Sequence, residues 1–257
     1  TGPIRRVLLI ELSEMGSAIL ADPAMRKLEK AARAELYFLI FKNNRPSLEL
    51  LNTVPTDHIF TLRGDRFSTL ALDALRFMLW TRRRRIDTVV DLELFSRVTS
   101  LLTALSGAHR RAGFFRYHTE GLYRGDFLTH RVVYNPHQHI AKNFIALVNA
   151  LLSDDPEHPY SKTRIDDSEL TLPRAPVTER DRDVLRAHIR SLYPDYQPNR
   201  HRLILINPNA SAMLIQRRWP PDHFLSLIRI ILERHEDALI LITGDPNERA
   251  EAQLLSD

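Results

Sequence analysis

The sequence predicts an α/β protein with two successive parallel sheets, and three observations predict it. Short apolar, branched runs alternate with longer segments of helical period. The alternation breaks at one polar, proline-bearing stretch and then restarts, and both series open alike, with an apolar strand running into a turn and a helix. Such alternation argues for strand–helix–strand units, because parallel neighbours need a crossover helix each time.

The first strand is VLLIEL (7–12), followed by a turn and the helical DPAMRKLEKAARA (22–34). LYFLIF (36–41) is the second strand, a helical stretch runs to Trp80, and DTVVDLEL (87–94) is the next strand. SRVTSLLTALSGA (96–108) is a helix with Gly107 as its C-terminal stop, and RRAGFF (110–115) a further strand. Asn135 and Pro136 read as a helix N-cap and first-turn proline leading into HQHIAKNFIALVNALL (137–152). That helix closes a first domain, residues 1–152. Residues 153–177 read as the interdomain connection. A second domain, 178–257, begins with a charged helix to Tyr193. It continues with strand LILIN (203–207), helix PPDHFLSLIRIILERH (220–235), strand ALILIT (238–243) and helix GDPNERAEAQLL (244–255). Two strands are fewer than the five or six usual for such a sheet, so this domain is expected to be incomplete. The sequence opens without Met and stops just inside a helical pattern, so we expect a longer protein.

Composition narrows the class. With 257 residues and 44% hydrophobic content the chain can bury a real core. Net charge is +4, and arginine supplies most of the positive charge, a residue suited to two-pronged pairing with phosphate. Anionic ligands fit that balance. The absence of cysteine excludes disulfides, thiolate zinc sites and cysteine nucleophiles, and a cytoplasmic address is the simplest expectation. No apolar run approaches the roughly eighteen residues of a spanning helix.

In a parallel sheet, ligands gather beyond the carboxyl ends of the strands. Four stretches occupy such places: Glu11 to Ser17, Asp91 to Arg97, Asn207 to Arg218, and Gly244 to Glu248. In the third, Ser211, Arg217 and Arg218 lie between a strand and a helix opened by Pro220 and Pro221. Free helix amides beside a guanidinium would cradle a diphosphate, though solvated arginines and a core Trp219 are the plain alternative. Asp91, Glu93 and Arg97 follow one strand and Arg116, His118 and Glu120 the next. These groups could hold hydroxyls or phosphates, or be ordinary rim residues.

NPNAS (207–211), RRWPPDHF (217–224), a strand and then GDPNER (244–249) resemble the glycosyltransferase family 9 heptosyltransferases. That family has an NPGAS-like turn, a KRWP-like segment and a GGPxE-like turn. VLLIELSEMGSAILADPAMRKL (7–28) is similar to its opening strand, Ser-x-x-Gly-Asp turn and Pro-Ala-Leu helix, and DTVVDLELFSR (87–97) and LSGAHRRAGF (105–114) follow in the family's order. The resemblance covers essentially the whole chain. It implies the GT-B fold, two Rossmann-like domains facing across a cleft, with acceptor on the first and nucleotide-sugar on the second. It also implies inverting transfer of a heptose-like sugar to a lipopolysaccharide or related surface glycan. No cofactor or metal is implied; the nucleotide-diphosphate sugar is a co-substrate. Its partners would be that donor and a lipid-linked or oligosaccharide acceptor, at the cytoplasmic side with peripheral attachment to the inner membrane.

Carried over by position, Ser211 matches a hydroxyl residue near the phosphates, and Arg217 stands where a lysine neutralises the diphosphate. Gly244 and Glu248 match the turn whose acid contacts the nucleoside. Acceptor contacts are expected from Glu93, Arg97 and Arg116. The family's general base, an aspartate right after the turn glycine, is replaced here by Ser17, whose hydroxyl cannot take a proton unaided. Glu14 in the turn and Glu11 at the strand end are the candidate replacements, with Glu14 favoured. The alternative is a non-catalytic nucleotide- or glycan-binding protein that kept the scaffold and lost the base. Asp22 reads as a helix cap. His118, His130, His137 and His139 lack a ligand spacing, so no metal site is expected. The run Arg82 to Arg85 reads as a solvated helix end that would also suit an anionic leaflet. Nucleic acid is not an expected partner, because the arginines are scattered among acids without aromatic platforms.

Overall fold

A computed structural model describes residues 2–64, 66–94, 96–115, 124–154, 164–208 and 218–255. The chain divides into two compact units, Thr1–Pro176 and Val177–Asp257.

The first unit is a six-stranded sheet in the order β3-β2-β1-β4-β5-β6, with every neighbouring pair parallel. Its strands are β1 (Arg6–Ile10), β2 (Glu35–Phe41), β3 (Ile59–Leu62), β4 (Thr88–Asp91), β5 (Arg110–Phe114) and β6 (His130–Val132). Between them run α1 (Met15–Leu20), α2 (Asp22–Ala32), α3 (Pro46–Leu51), α4 (Phe67–Arg84), α5 (Arg97–Leu105) and, last, α6 (Ile140–Leu152). This is the doubly wound order of nucleotide-binding sheets, and the chain reverses direction across the sheet between β1 and β4.

Period-two alternation explains why β1 is apolar from Val7 to Ile10. Val7 and Leu9 enter a core with Met25 and Leu28 of α2 and Phe144 and Leu147 of α6. Leu8 and Ile10 enter the opposite core, with Phe77 of α4 and Leu102 of α5. Both faces are covered, so no polar side chain is tolerated on either. The helices stop where left-handed backbone is needed: Arg33 after α2 and Arg85 after α4 both have positive φ. Ser96 caps α5 by accepting from the Thr99 amide at 3.2 Å.

Two expectations are corrected. Asn135 and Pro136 do not open α6; His139 is its N-cap, and its Nδ1 accepts from the Ala141 amide at 3.2 Å. Asn135 is instead held by Asn143, whose Oδ1 accepts from its amide at 2.9 Å and whose Nδ2 donates to its carbonyl at 3.0 Å. The run IFTL, read as part of a helical stretch, is strand β3, paired with β2 from Phe38↔Ile59 to Phe41↔Leu62. β6 was also unread, being only three residues long. Of the expected connection, residues 164–176 count with the first unit. There Ile165 is buried in the core, and Glu169 and Asp167 pair with Lys27 and Lys142 at 2.7 and 2.6 Å.

The second unit holds α7 (Glu179–Leu192), β7 (Arg202–Ile206), α8 (Pro221–Arg234), β8 (Ala238–Ile242) and α9 (Arg249–Leu254). A capping box between Thr178 and Asp181 starts α7. β7 and β8 form a parallel two-stranded sheet with α8 as crossover.

Candidate active site

The carboxyl ends of β1 and β4 lie side by side, with Ile10 opposite Asp91, at the point where the strand order reverses. A crevice opens at such a switch point. Four carboxylates stand at these strand ends: Glu11 and Glu14 beyond β1, Asp91 at the end of β4 and Glu93 two residues further on, with Glu14 alone exposed.

Glu93 does not face outward as an acceptor ligand. Its Oε1 accepts from the Leu12 amide at 3.0 Å, the Ser13 amide at 3.0 Å and the Ser13 hydroxyl at 2.6 Å. It is 9% exposed and binds the turn after β1 to the end of β4. On the turn's other flank, Asn44 donates to the Leu12 carbonyl at 2.8 Å.

Glu11 lies beneath this turn, 4% exposed. Burial first, and the Glu93 charge second, push its pKa up to about 8, so it is mostly protonated at neutral pH. Glu14 is exposed at the N-cap of α1. The Ser17 hydroxyl, one turn into that helix, donates to Glu14 Oε2 at 2.9 Å. Ser17 thus holds the carboxylate of another residue of the turn.

Asp91 is fully buried and bonded by Arg124, also buried, through Nη2. Burial raises Asp91 to about 6 against the opposing pull of that guanidinium. Arg124 also donates to the Glu93 carbonyl at 2.6 Å, the Ser96 carbonyl at 3.1 Å and the Thr99 hydroxyl at 2.6 Å. It thus pins the β4 end to the start of α5. Sequence reading missed Arg124, whose partners are distant in the chain. Arg97 opens α5 and is exposed.

Beside these carboxylates, at the ends of β2 and β3, is a cavity of about 270 Å³ lined by Phe41, Lys42, Asn43, Asn44, Arg63 and Gly64. Arg63 is fixed in a two-pronged bond to Asp73 of α4, at 2.8 and 2.7 Å. Sequence reading missed this basic lining too, because the strand that places Arg63 was not recognised. The cavity sits one residue pair from the turn, since Asn44 both lines it and holds Leu12.

In the second unit, Gly244 follows β8. Glu248 closes the next turn, its Oε2 accepting from the Asp245 amide at 2.7 Å. Arg218 pairs with Glu251 at 3.1 Å and lines a mostly apolar cavity of about 350 Å³ with Trp219, Pro220, Phe224 and Leu254. Ser211 and Arg217 lie outside the described residues, as do Arg116, His118 and Glu120. Among the described residues no cluster of three metal-ligating side chains occurs.

No protein-family model and no curated protein sequence matches the chain. Solved structures do. The glycosyl transferase family 9 structure from Veillonella parvula is 16% identical, with a TM-score of 0.70 over 98% of this chain and 66% of that one. The E. coli heptosyltransferase WaaC with ADP-2-deoxy-2-fluoro heptose is 14% identical, with a TM-score of 0.65 over 98% of this chain and 73% of that one. The same enzyme with ADP gives a TM-score of 0.62 at 15% identity, over 98% and 72%. The fold is therefore that of the GT-B sugar-nucleotide transferases, as the motifs implied, and this chain spans about two thirds of the first structure's length.

Proposed function

We propose that the chain is a glycosyltransferase of the heptosyltransferase kind, moving a heptose-like sugar from a nucleotide diphosphate to a lipopolysaccharide or related surface-glycan acceptor. The observation that carries this reading is the Glu14 carboxylate, held by Ser17 at the mouth of the switch-point turn, on a fold shared with sugar-nucleotide transferases. Glu14 accepts the proton of the acceptor hydroxyl as that oxygen attacks the anomeric carbon. The bond from that carbon to the diphosphate oxygen breaks on the opposite face, so configuration inverts, and the electron pair leaves with the nucleotide diphosphate. Ser17 orients Glu14 and is not itself a base. Glu11, mostly protonated at neutral pH, adds little negative charge beside Glu14.

On the acceptor side, Lys42 and Arg63 suit phosphate or carboxylate groups of an anionic glycan, and Arg97 and Arg116 are the further guanidinium groups we assign to it. On the donor side, Arg217, Ser211 and the amides at the start of α8 meet the charge that develops on the diphosphate, without a metal. Glu248 has one carboxylate oxygen with no bond among the described residues, available to the ribose. The reaction is placed at the cytoplasmic face of the membrane, where nucleotide-sugars are made available.

Incubation of the protein with labelled nucleotide-diphosphate heptoses and a lipopolysaccharide acceptor tests the reading. Transfer with inverted configuration is the expected result. Saturable nucleotide binding without transfer would overturn it in favour of a binding protein on the same scaffold.

A further inference from the structure

α4 and α5 cover the same face of the first sheet, both packing on the core that contains Leu8 and Ile10. Their outer surfaces are apolar where an outer surface is ordinarily polar. Leu72, Leu75 and Leu79 of α4 are exposed at helical spacing, and so are Val98, Leu101 and Leu105 of α5. The exposure is substantial, 56% at Leu75 and 51% at Val98. Arg82 ties the two C-terminal ends together, donating to the Met78 carbonyl of α4 at 2.9 Å and the Leu105 carbonyl of α5 at 3.3 Å. Six apolar side chains on two joined helices exceed the scattered exposure a soluble surface normally shows.

The exposed charge carried by these two helices has one sign. Arg83 continues the α4 stripe one turn beyond Leu79, and Arg97 precedes Leu101 by one turn on α5. Neither makes a side-chain bond among the described residues. The sole carboxylate on either helix is Asp73, buried and spanned by Arg63 and Arg76. Leucines flanked by arginines without a side-chain bond among the described residues, on two helices that carry no exposed acid of their own, match an anionic bilayer surface: the apolar chains enter the acyl boundary while the guanidinium groups stay at the phosphates. No described helix is long and apolar enough to cross a membrane, so this contact lies in the surface plane.

We infer that the α4–α5 face docks the protein on an anionic lipid bilayer. α5 starts beside the switch-point crevice, its N-cap carbonyl on Arg124, so docking brings the crevice's edge close to the lipid headgroups. The inference deepens the proposed reading by giving a lipid-linked acceptor's membrane a docking face. Its test uses neither nucleotide nor acceptor, and so stands or falls apart from catalysis.

Flotation of the whole chain with vesicles of phosphatidylglycerol and phosphatidylethanolamine, against vesicles of phosphatidylcholine, is the test. Binding to the anionic vesicles that weakens with salt is expected. Leu75→Glu with Leu101→Glu abolishes it while far-ultraviolet circular dichroism and the melting temperature stay unchanged. Arg83→Glu with Arg97→Glu, which touches no core group, lowers affinity about fivefold or more for each arginine. Equal binding to both vesicle types, or full binding by both double variants, would overturn the inference. So would a dimer that Leu75→Glu with Leu101→Glu dissociates, with no vesicle binding by the parent protein.

Discussion

Glu93 and Ser13 are joined twice: one carboxylate oxygen accepts both the Ser13 amide at 3.0 Å and its hydroxyl at 2.6 Å. Two strands adjacent in the sheet but 80 residues apart in sequence thereby share one turn. The turn carrying Glu14 is fixed from β4 and not by its own residues alone.

Replacing Glu93 with Gln keeps the shape but removes the charge. Because that charge is the second cause of the raised Glu11 pKa, Glu11 should titrate below about 8 in the variant. Carbon-detected NMR titration of the glutamate carboxyls checks this. Transfer should fall through turnover more than through acceptor KM, since the turn is loosened and no ligand contact is lost.

Glu11→Gln should stabilise the protein. An unfolded chain releases the Glu11 proton near 4.5, whereas the folded chain holds it to about 8. Between those values the folded state binds the extra proton, so native stability falls as pH rises across the window. Gln removes that slope and still accepts the Glu14 amide. The gap should widen from pH 4.5 upward to roughly 3 kcal/mol at pH 7, to order of magnitude. Urea unfolding at pH 5, 7 and 8 measures it, and a constant gap would show that Glu11 is ionised in the fold.

Arg124→Met should be costly in a pH-dependent way. Asp91, at about 6 with its partner present, loses that partner and must fold protonated. The loss should be about 3–5 kcal/mol at pH 7, as for other broken buried pairs. It should shrink as pH falls below about 6, where Asp91 is protonated in the folded parent too and the ion pair no longer contributes. Urea unfolding at pH 7 and pH 4 should show a smaller loss at pH 4, with a remainder from the Glu93 and Ser96 carbonyls and the Thr99 hydroxyl that Arg124 bonds.

Arg63→Ala removes one wall of the cavity beyond β2 and β3 and leaves Asp73 to Arg76. If that cavity receives an anionic part of the acceptor, acceptor KM should rise about tenfold or more while donor KM is unchanged. Steady-state kinetics with each substrate varied separates the two.

Much of the architecture was legible because strands covered on both faces read as continuous apolar runs, as VLLI and LYFLIF do. β3 escaped because IFTL is only four residues long and interrupted by Thr61, and a strongly helical segment begins five residues later at Phe67. The Asn135–Pro136 pair imitated a helix start whose true cap is His139, four residues on. Within the site, Glu11 and Glu14 were legible from their place after the first strand. The roles that separate them were not, because burial and the Glu93 charge depend on β4 lying beside β1. Arg124 was illegible for the same reason: its partners Asp91, Thr99 and Ser96 stand 33, 25 and 28 residues earlier, and in sequence it is one more arginine in a loop.

The central claim of the proposal is that Glu14 takes the proton of the acceptor hydroxyl, with Ser17 orienting it. Single-turnover transfer by Glu14→Gln, Ser17→Ala and Glu11→Gln tests it most directly. The account predicts a loss of roughly a hundredfold or more for Glu14→Gln, about tenfold for Ser17→Ala and little for Glu11→Gln at pH 7. A Glu14→Gln protein that transfers at the parent rate would contradict it.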